Sequence, residues 1–188
     1  MKIGVISDTH GYVDPQLADV LAGVDAILHA GDVGSETVLD DLGRLAKVYA
    51  VRGNVDMAEM NLPPSLTVRF GNLGIEVQHQ LLVPQHELEK WADGALLQRL
   101  IPERSAQFLK SFDPATRVVV FGHSHRPCLL AVGHCLFFNP GSSGARRFSL
   151  PRCCGILELF PRGVRGSIIG LEGEKASLPE SIWLPLGE

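Results

Sequence analysis

An α/β fold built on two β-sheets is what the sequence predicts, and three patterns predict it. Short apolar runs at 3–7, 26–30 and 48–51 alternate with stretches of helical character. A hairpin pattern, a long helical stretch and a strongly β-branched run follow from about residue 66. The remainder breaks into short strand-like runs. Strand, helix, strand, helix, strand argues for a mostly parallel unit. The later strands call for a second sheet, and with no long linker or internal repeat a single domain over 1–188 is expected.

The opening run, IGVIS, follows one Lys and has the look of a short leader. It ends at Asp8, too short for a leader's apolar segment or a bilayer span, and reads as a buried first strand. Pro15 suits the first position of a helix at 15–22, and Ser35 the N-cap of another at 35–45. Gly71-Asn72 joins 66–70 to 73–79 as a hairpin. The helical stretch 86–112 is expected to break at Gly94 or Pro102. RVVVF at 117–121 is β-branched and stops at Gly122. Runs at 129–132, 136–139, 155–160 and 164–169 read as short strands in antiparallel pairing. The tail, with Trp183 and Leu184 between prolines, packs on the domain or on a neighbouring subunit; the sequence does not decide which.

The chain has 188 residues, 45% of them hydrophobic and 20% charged, which suits a globular domain with a sizeable core. Seventeen basic residues against 21 acidic give a net charge of −4, which implies no general affinity for nucleic acid. No long apolar span suggests a membrane. Cys128, Cys135, Cys153 and Cys154 form no CxxC spacing. Reduced thiols in a cytoplasmic protein are the expectation.

The carboxyl ends of the expected strands carry an unusual polar set, where α/β sheets gather their ligand sites. Asp8 and His10 stand in SDTHG, Asp32 in HAGDV, Asn54 in RGNVD, His79 in EVQHQ, and His123 and His125 in FGHSH. The two pairs spaced by two would each project to one side at strand spacing. A glycine directly precedes Asp32, Asn54 and His123, where a missing side chain lets backbone approach a ligand. Carboxylate, amide oxygen and neutral imidazole are donors for divalent metal rather than for a thiolate-preferring ion. Seven donors exceed one octahedral centre but fill two centres that share a bridging Asp. Two carboxylates leave such a pair of ions an excess of positive charge, suited to a phosphate anion. Singly, each motif is ordinary turn material, and a lone His79 or His123 is more often a buried core imidazole; the ordered set carries the inference.

That ordered set, Asp8-x-His10, Gly31-Asp32, Gly53-Asn54, His79 and Gly122-His123-x-His125, resembles the calcineurin-like metallophosphoesterases. It is most similar to their small single-domain bacterial and archaeal phosphodiesterases, and the resemblance runs to about residue 160. Asn139-Pro140-Gly141-Ser142 is similar to a loop of that subgroup. The resemblance implies a four-layer α/β/β/α sandwich of two mixed sheets flanked by helices. It implies one ion on Asp8, His10 and His125, a second on Asn54, His79 and His123, and Asp32 between them. Mn is expected first, with Ni, Fe, Zn, Co or Mg as alternatives. The implied nucleophile is a hydroxide bridging the ions, with no protein nucleophile.

Two residues depart from the wider pattern. Val55 stands where many members carry a His that protonates the leaving oxygen; the small subgroup commonly lacks it too. Gln80 and Leu81 follow His79 where Gly and often His are usual. Asp56 reads as a turn residue or as an acceptor behind the ligands. His29 reads as a core or supporting group, and His86 and His134 as surface residues. Arg146 and Arg147 are candidates to hold a substrate phosphate, although these two and Arg152 read first as residues of a solvated loop. The expected activity is phosphodiester hydrolysis of a small phosphate ester. A phosphomonoesterase or nucleotide pyrophosphatase is the alternative, and a non-catalytic scaffold resembling the retromer subunit of this fold is the rival of another class. A homo-oligomer, dimer or tetramer, is left open.

Overall fold

A computed structural model of the chain describes residues 1–92, 102–146, 149–171, 178–179 and 181–186. The alternating N-terminal pattern folds as expected. Strands β1 (Lys2–Ile6), β2 (Ala26–His29) and β3 (Lys47–Ala50) pair in parallel, linked by helices α1 (Gln16–Val20) and α2 (Glu36–Gly43). Pro15 sits just before α1. Ser35 precedes α2 but caps no backbone N–H, its hydroxyl meeting that of Thr37 instead. Strands β4 (Ser65–Phe70) and β5 (Leu73–Gln78) form the expected hairpin around Gly71-Asn72. Helices α3 (Gln85–Ala92) and α4 (Pro102–Leu109) follow; the expected break at Gly94 lies outside the described residues, whereas Pro102 opens α4.

The later strands are β6 (Thr116–Val120), β7 (Cys128–Val132), β8 (Cys135–Asn139), β9 (Cys153–Phe160), β10 (Gly163–Gly170) and β11 (Ile182–Pro185). One mixed sheet runs β11-β10-β9-β1-β2-β3 and the other β4-β5-β6-β8-β7. The expectation of antiparallel pairing holds for β7 with β8 and for β9 with β10, but β8 lies parallel to β6. Burial explains the difference. Every residue of β8 is buried and it takes the inner place beside β6, while β7, with Leu130 partly buried and Ala131 exposed, lies at the edge. Within the tail, Ile182–Pro185 packs on the domain: β11 adds an edge strand antiparallel to β10, with Trp183 opposite Arg165.

Alternation along the strands builds the layers. Val5, Leu28, Ile75, Val77, Val118, Val120, Leu136 and Phe138 meet in the core between the sheets. Ile6 and Ile27 face Leu17, Leu21, Val38 and Leu42 of the first two helices. Val119 and Phe137 face Leu88 and Phe108 of the other two. Strands covered on both faces read as continuous apolar runs, and the result is the four-layer sandwich. Strands β1, β2, β3, β5 and β6 all end at one edge, and their following loops carry the polar set. Among the described residues no helix is long and apolar enough to cross a membrane.

Candidate metal centre

The loops after the strands are stitched to one another before any side chain is considered. Asp8 N–H donates to Gly31 O (3.0 Å), His10 N–H to Asp32 O (2.9 Å), and Gly122 N–H to His79 O (3.0 Å). These bonds join the Asp8–His10 loop to that of Asp32, and the His79 loop to that of His123 and His125. They also impose a conformation that residue spacing does not announce. Asp8, His10, Asp32, His123 and His125 all have positive φ, between 50° and 70°. The pairs Asp8/His10 and His123/His125 are therefore not projected by strand alternation, as expected, but by left-handed turns beyond the strand ends. A non-glycine residue in that region is strained, and such strain gathers where side-chain aim matters more than backbone comfort.

Close packing of backbone supports the arrangement. A side chain at Gly53 would collide with Asp32, and one at Gly122 with Ser7 and Asp8. Sequence reasoning did not single out Ser7, which nothing but its place before Asp8 distinguishes. Its hydroxyl donates to Asp8 Oδ2 at 2.5 Å, and the backbone N–H of His123 donates to the same oxygen at 3.2 Å. Asp8 Oδ1 is buried and has no hydrogen-bond partner. Burial pushes the Asp8 carboxyl up, but the His125 imidazole and the Ser7 hydroxyl beside it, with His79 nearby, outweigh it and hold the group below its usual range.

Around that orphaned oxygen, ligand atoms of Asp8, His10, Asp32 and His125 lie within 4.8 Å of one another. His10 Nε2 and His125 Nε2 are 3.2 Å apart, and His125 Nε2 stands 3.3 Å from Asp8 Oδ1. On the other side of Asp32, His79 Nε2 is 2.9 Å from Asn54 Oδ1 and 3.4 Å from Asp32 Oδ1. His123 Nδ1 is 3.1 Å from the same Asn54 oxygen. His79 Nδ1 lies 2.8 Å from Ala30 O, a bond in which only the imidazole can donate. In the neutral ring that places the Nε2 lone pair against two acceptor oxygens. Lone pairs converging without donors between them are costly unless a cation is shared. The donor set, two carboxylates, an amide oxygen and neutral imidazoles, fits divalent metal.

Other residues brace this core. Asp56 is a loop brace, accepting Gly34 N–H and Gly53 N–H at 2.8 Å each. Val55 N–H donates to Asp32 Oδ1 at 3.0 Å, while its side chain points no donor at the site. Asn139 ties its loop to FGHSH, donating to Gly122 O and Ser124 Oγ at 3.0 Å each. Ser142 Oγ donates to Asp8 O at 2.8 Å. His29 is wholly buried against the Thr9 hydroxyl, and burial pushes its pKa down to about 4. His86 and His134 are exposed.

The expectation of a solvated loop fails for Arg152. It is buried, pairs with Asp14, donates to Gly144 O at 2.7 Å, and lies 5.3 Å from the Tyr12 ring. A buried carboxylate distant in sequence claims it. Arg146 is exposed, and Arg147 lies outside the described residues. All four cysteines are unpaired and buried.

The family model described as calcineurin-like phosphoesterase superfamily domain matches residues 1–160. The chain belongs to that superfamily. A probable metallophosphoesterase of Methanocaldococcus jannaschii is 34% identical over 159 residues, 81% of this chain and 71% of that protein. One from Methanothermobacter thermautotrophicus is 30% identical over 158 residues, 80% of this chain and 82% of its own. Solved structures share the superfamily fold. YfcE, a phosphoesterase from E. coli, superposes with a TM-score of 0.65 at 23% identity, covering 98% of this chain and 100% of its own. Vps29 from Entamoeba histolytica, solved with zinc, gives 0.68 at 21%, covering 98% and 99%.

Proposed function

We propose that the chain is a two-metal-dependent phosphoesterase acting on small phosphodiesters. The observation that carries this reading is the convergence of acceptor atoms on either side of Asp32, with Asp8 Oδ1 left unpartnered and His79 Nδ1 committed to a carbonyl. In this reading Asp8, His10 and His125 hold one ion, Asn54, His79 and His123 the other, and Asp32 touches both. Mn is the first choice. Bound there, two divalent ions supply positive charge to the phosphate oxygens and bring a water's pKa towards neutrality. The chain's own part is positioning: Ser7 and the His123 N–H aim Asp8, the Val55 N–H aims Asp32, and Asp56 fixes the Asn54 loop. Val55 has no proton to give, so the leaving oxygen departs without a side-chain acid at that position, and esters with good leaving groups are favoured. The preference for diesters rests on the resemblance to the small subgroup. Buried thiols support a cytoplasmic setting.

Hydrolysis of bis(p-nitrophenyl) phosphate by chelator-stripped protein, before and after Mn²⁺ is returned, tests the reading. Turnover that needs metal, vanishes in Asp32→Ala and exceeds that on p-nitrophenyl phosphate is the expected result. A preference for the monoester points to a phosphomonoesterase or nucleotide pyrophosphatase. A second reading has one observation in its favour, the fold match to Vps29, of which the Chaetomium thermophilum protein was solved with a cyclic peptide at a TM-score of 0.67. No turnover and no bound metal would move the conclusion to a scaffold.

A further inference from the structure

The loop after His79, which opens with Gln80 and Leu81, builds a wall beside the candidate centre. A cleft of about 350 Å³ opens there, lined by Leu82, Val83, Pro84, Phe121 and His123, with Arg126 on its rim. Leu82 is 87% exposed. An apolar side chain of that size normally gains by burial, and here it stands at the border of a strongly polar site. It is not alone on this face. Tyr12, Val55 and Met57, on the loops that carry His10 and Asn54, are 42%, 47% and 73% exposed.

The wall is fixed rather than loose. Leu81 is buried among Leu88, Phe121 and Phe137. Gln85 Oε1 accepts the Ser124 hydroxyl at 2.6 Å and the Asn139 amide at 3.2 Å, so the wall is clamped to the loop bearing His123 and His125. Gln85 and Ser124 are held in that clamp, and although Gln80 and His86 also reach the cleft, Leu82, Val83, Pro84 and Phe121 give its lining the larger apolar share. The rim cation is already engaged, with Arg126 lying 3.7 Å from Glu89. A second phosphate would find a weak partner there, whereas a neutral ring would find Leu82, Val83 and Pro84.

We propose that this cleft seats an apolar, ring-sized organic group of the substrate, which makes the chain selective for phosphate esters carrying such a group. The proposal rests on the phosphoesterase reading and adds the substrate class. Clefts of this size suit one such group, and burying it against the wall is worth about tenfold in affinity over a methyl group.

Calorimetric binding of phenylphosphonate and methylphosphonate to the Mn²⁺-loaded protein tests this, with inorganic phosphate as a third probe. The expected result is a preference for phenyl over methyl of about tenfold, falling to roughly threefold or less in Leu82→Ser and kept in Leu82→Phe. The ratio cancels any general change in anion affinity, and a side chain this exposed is not needed for folding. Equal affinities in the wild-type protein would overturn the substrate class while leaving the metal centre standing. A preference that Leu82→Ser does not alter would overturn the placement in this cleft. Failure of all three anions to bind the loaded protein would overturn the phosphoesterase reading and this proposal with it.

Discussion

Replacing Gly122 by Ala measures how tightly the candidate centre is packed. A Cβ at that position would stand 2.7 Å from Asp8 Oδ2 and closer still to the Ser7 hydroxyl. Ordinary contact begins near 3.4 Å, so the carboxylate oxygen must retreat by about 0.7 Å. Neither group has room to do so: Ser7 and Asp8 are fully buried, and the same oxygen already accepts the His123 N–H. Crowding of this kind costs roughly 1–3 kcal/mol of stability. A displacement approaching 1 Å in a preorganised site costs on the order of a hundredfold in its function, so Mn²⁺ affinity is expected to fall by about that factor. Titration calorimetry of the stripped protein with MnCl₂, alongside urea unfolding, reads both effects. Gly43→Ala serves as the control. Gly43 is the last residue of α2 and a Cβ there meets no atom within 4 Å, so the change should be neutral or stabilising by up to about 1 kcal/mol. A Gly122→Ala protein with unaltered Mn²⁺ affinity would refute the claim that packing aims Asp8.

Three further outcomes are expected. Asp14→Ala removes the carboxylate paired with the buried Arg152 guanidinium and should cost roughly 3–5 kcal/mol in urea unfolding, most of it recovered in Asp14→Leu/Arg152→Met; a neutral single mutant would contradict a structural ion pair. Burial pushes Cys128, Cys153 and Cys154 up to about 12 and Cys135 up to about 11, so at pH 8 a thiol reagent should label them only as fast as the protein unfolds, and a rapid native burst would contradict this. His29, lowered to about 4 by burial, stays neutral in the fold while the unfolded chain takes a proton near pH 6.5. Its contribution is complete above that pH and is lost as pH falls towards 4, by about 3 kcal/mol in all. Urea unfolding of the stripped protein at pH 7 and 4.5 should show a smaller acid loss in His29→Gln, and an equal loss would contradict the assignment.

Much of the sandwich was legible because its strands are buried on both faces, so 3–7, 26–30 and 117–121 stand out as unbroken apolar runs. The residue types of the candidate site were legible for the same reason, each breaking such a run. Backbone conformation was not. Nothing in the letters of Asp8 or His125 marks a left-handed turn, which the bonds from neighbouring loops impose. Strand β11 was hidden because Ile182–Pro185 is short and ends in a proline, and only β10 makes it a strand. The parallel pairing of β6 with β8 depends on which of two adjacent apolar strands is buried throughout, which the letters CLLAV and CLFFN do not distinguish. Arg152 looked like loop material because its partner, Asp14, is 138 residues away.

The account rests on two cations being held between the strand ends. Anomalous diffraction from crystals grown with Mn²⁺ tests that most directly. Two peaks are predicted, one within reach of Asp8, His10 and His125 and one within reach of Asn54, His79 and His123, with Asp32 touching both. No peak in this cluster at saturating Mn²⁺, or one that Asp32→Ala leaves unchanged, would contradict it.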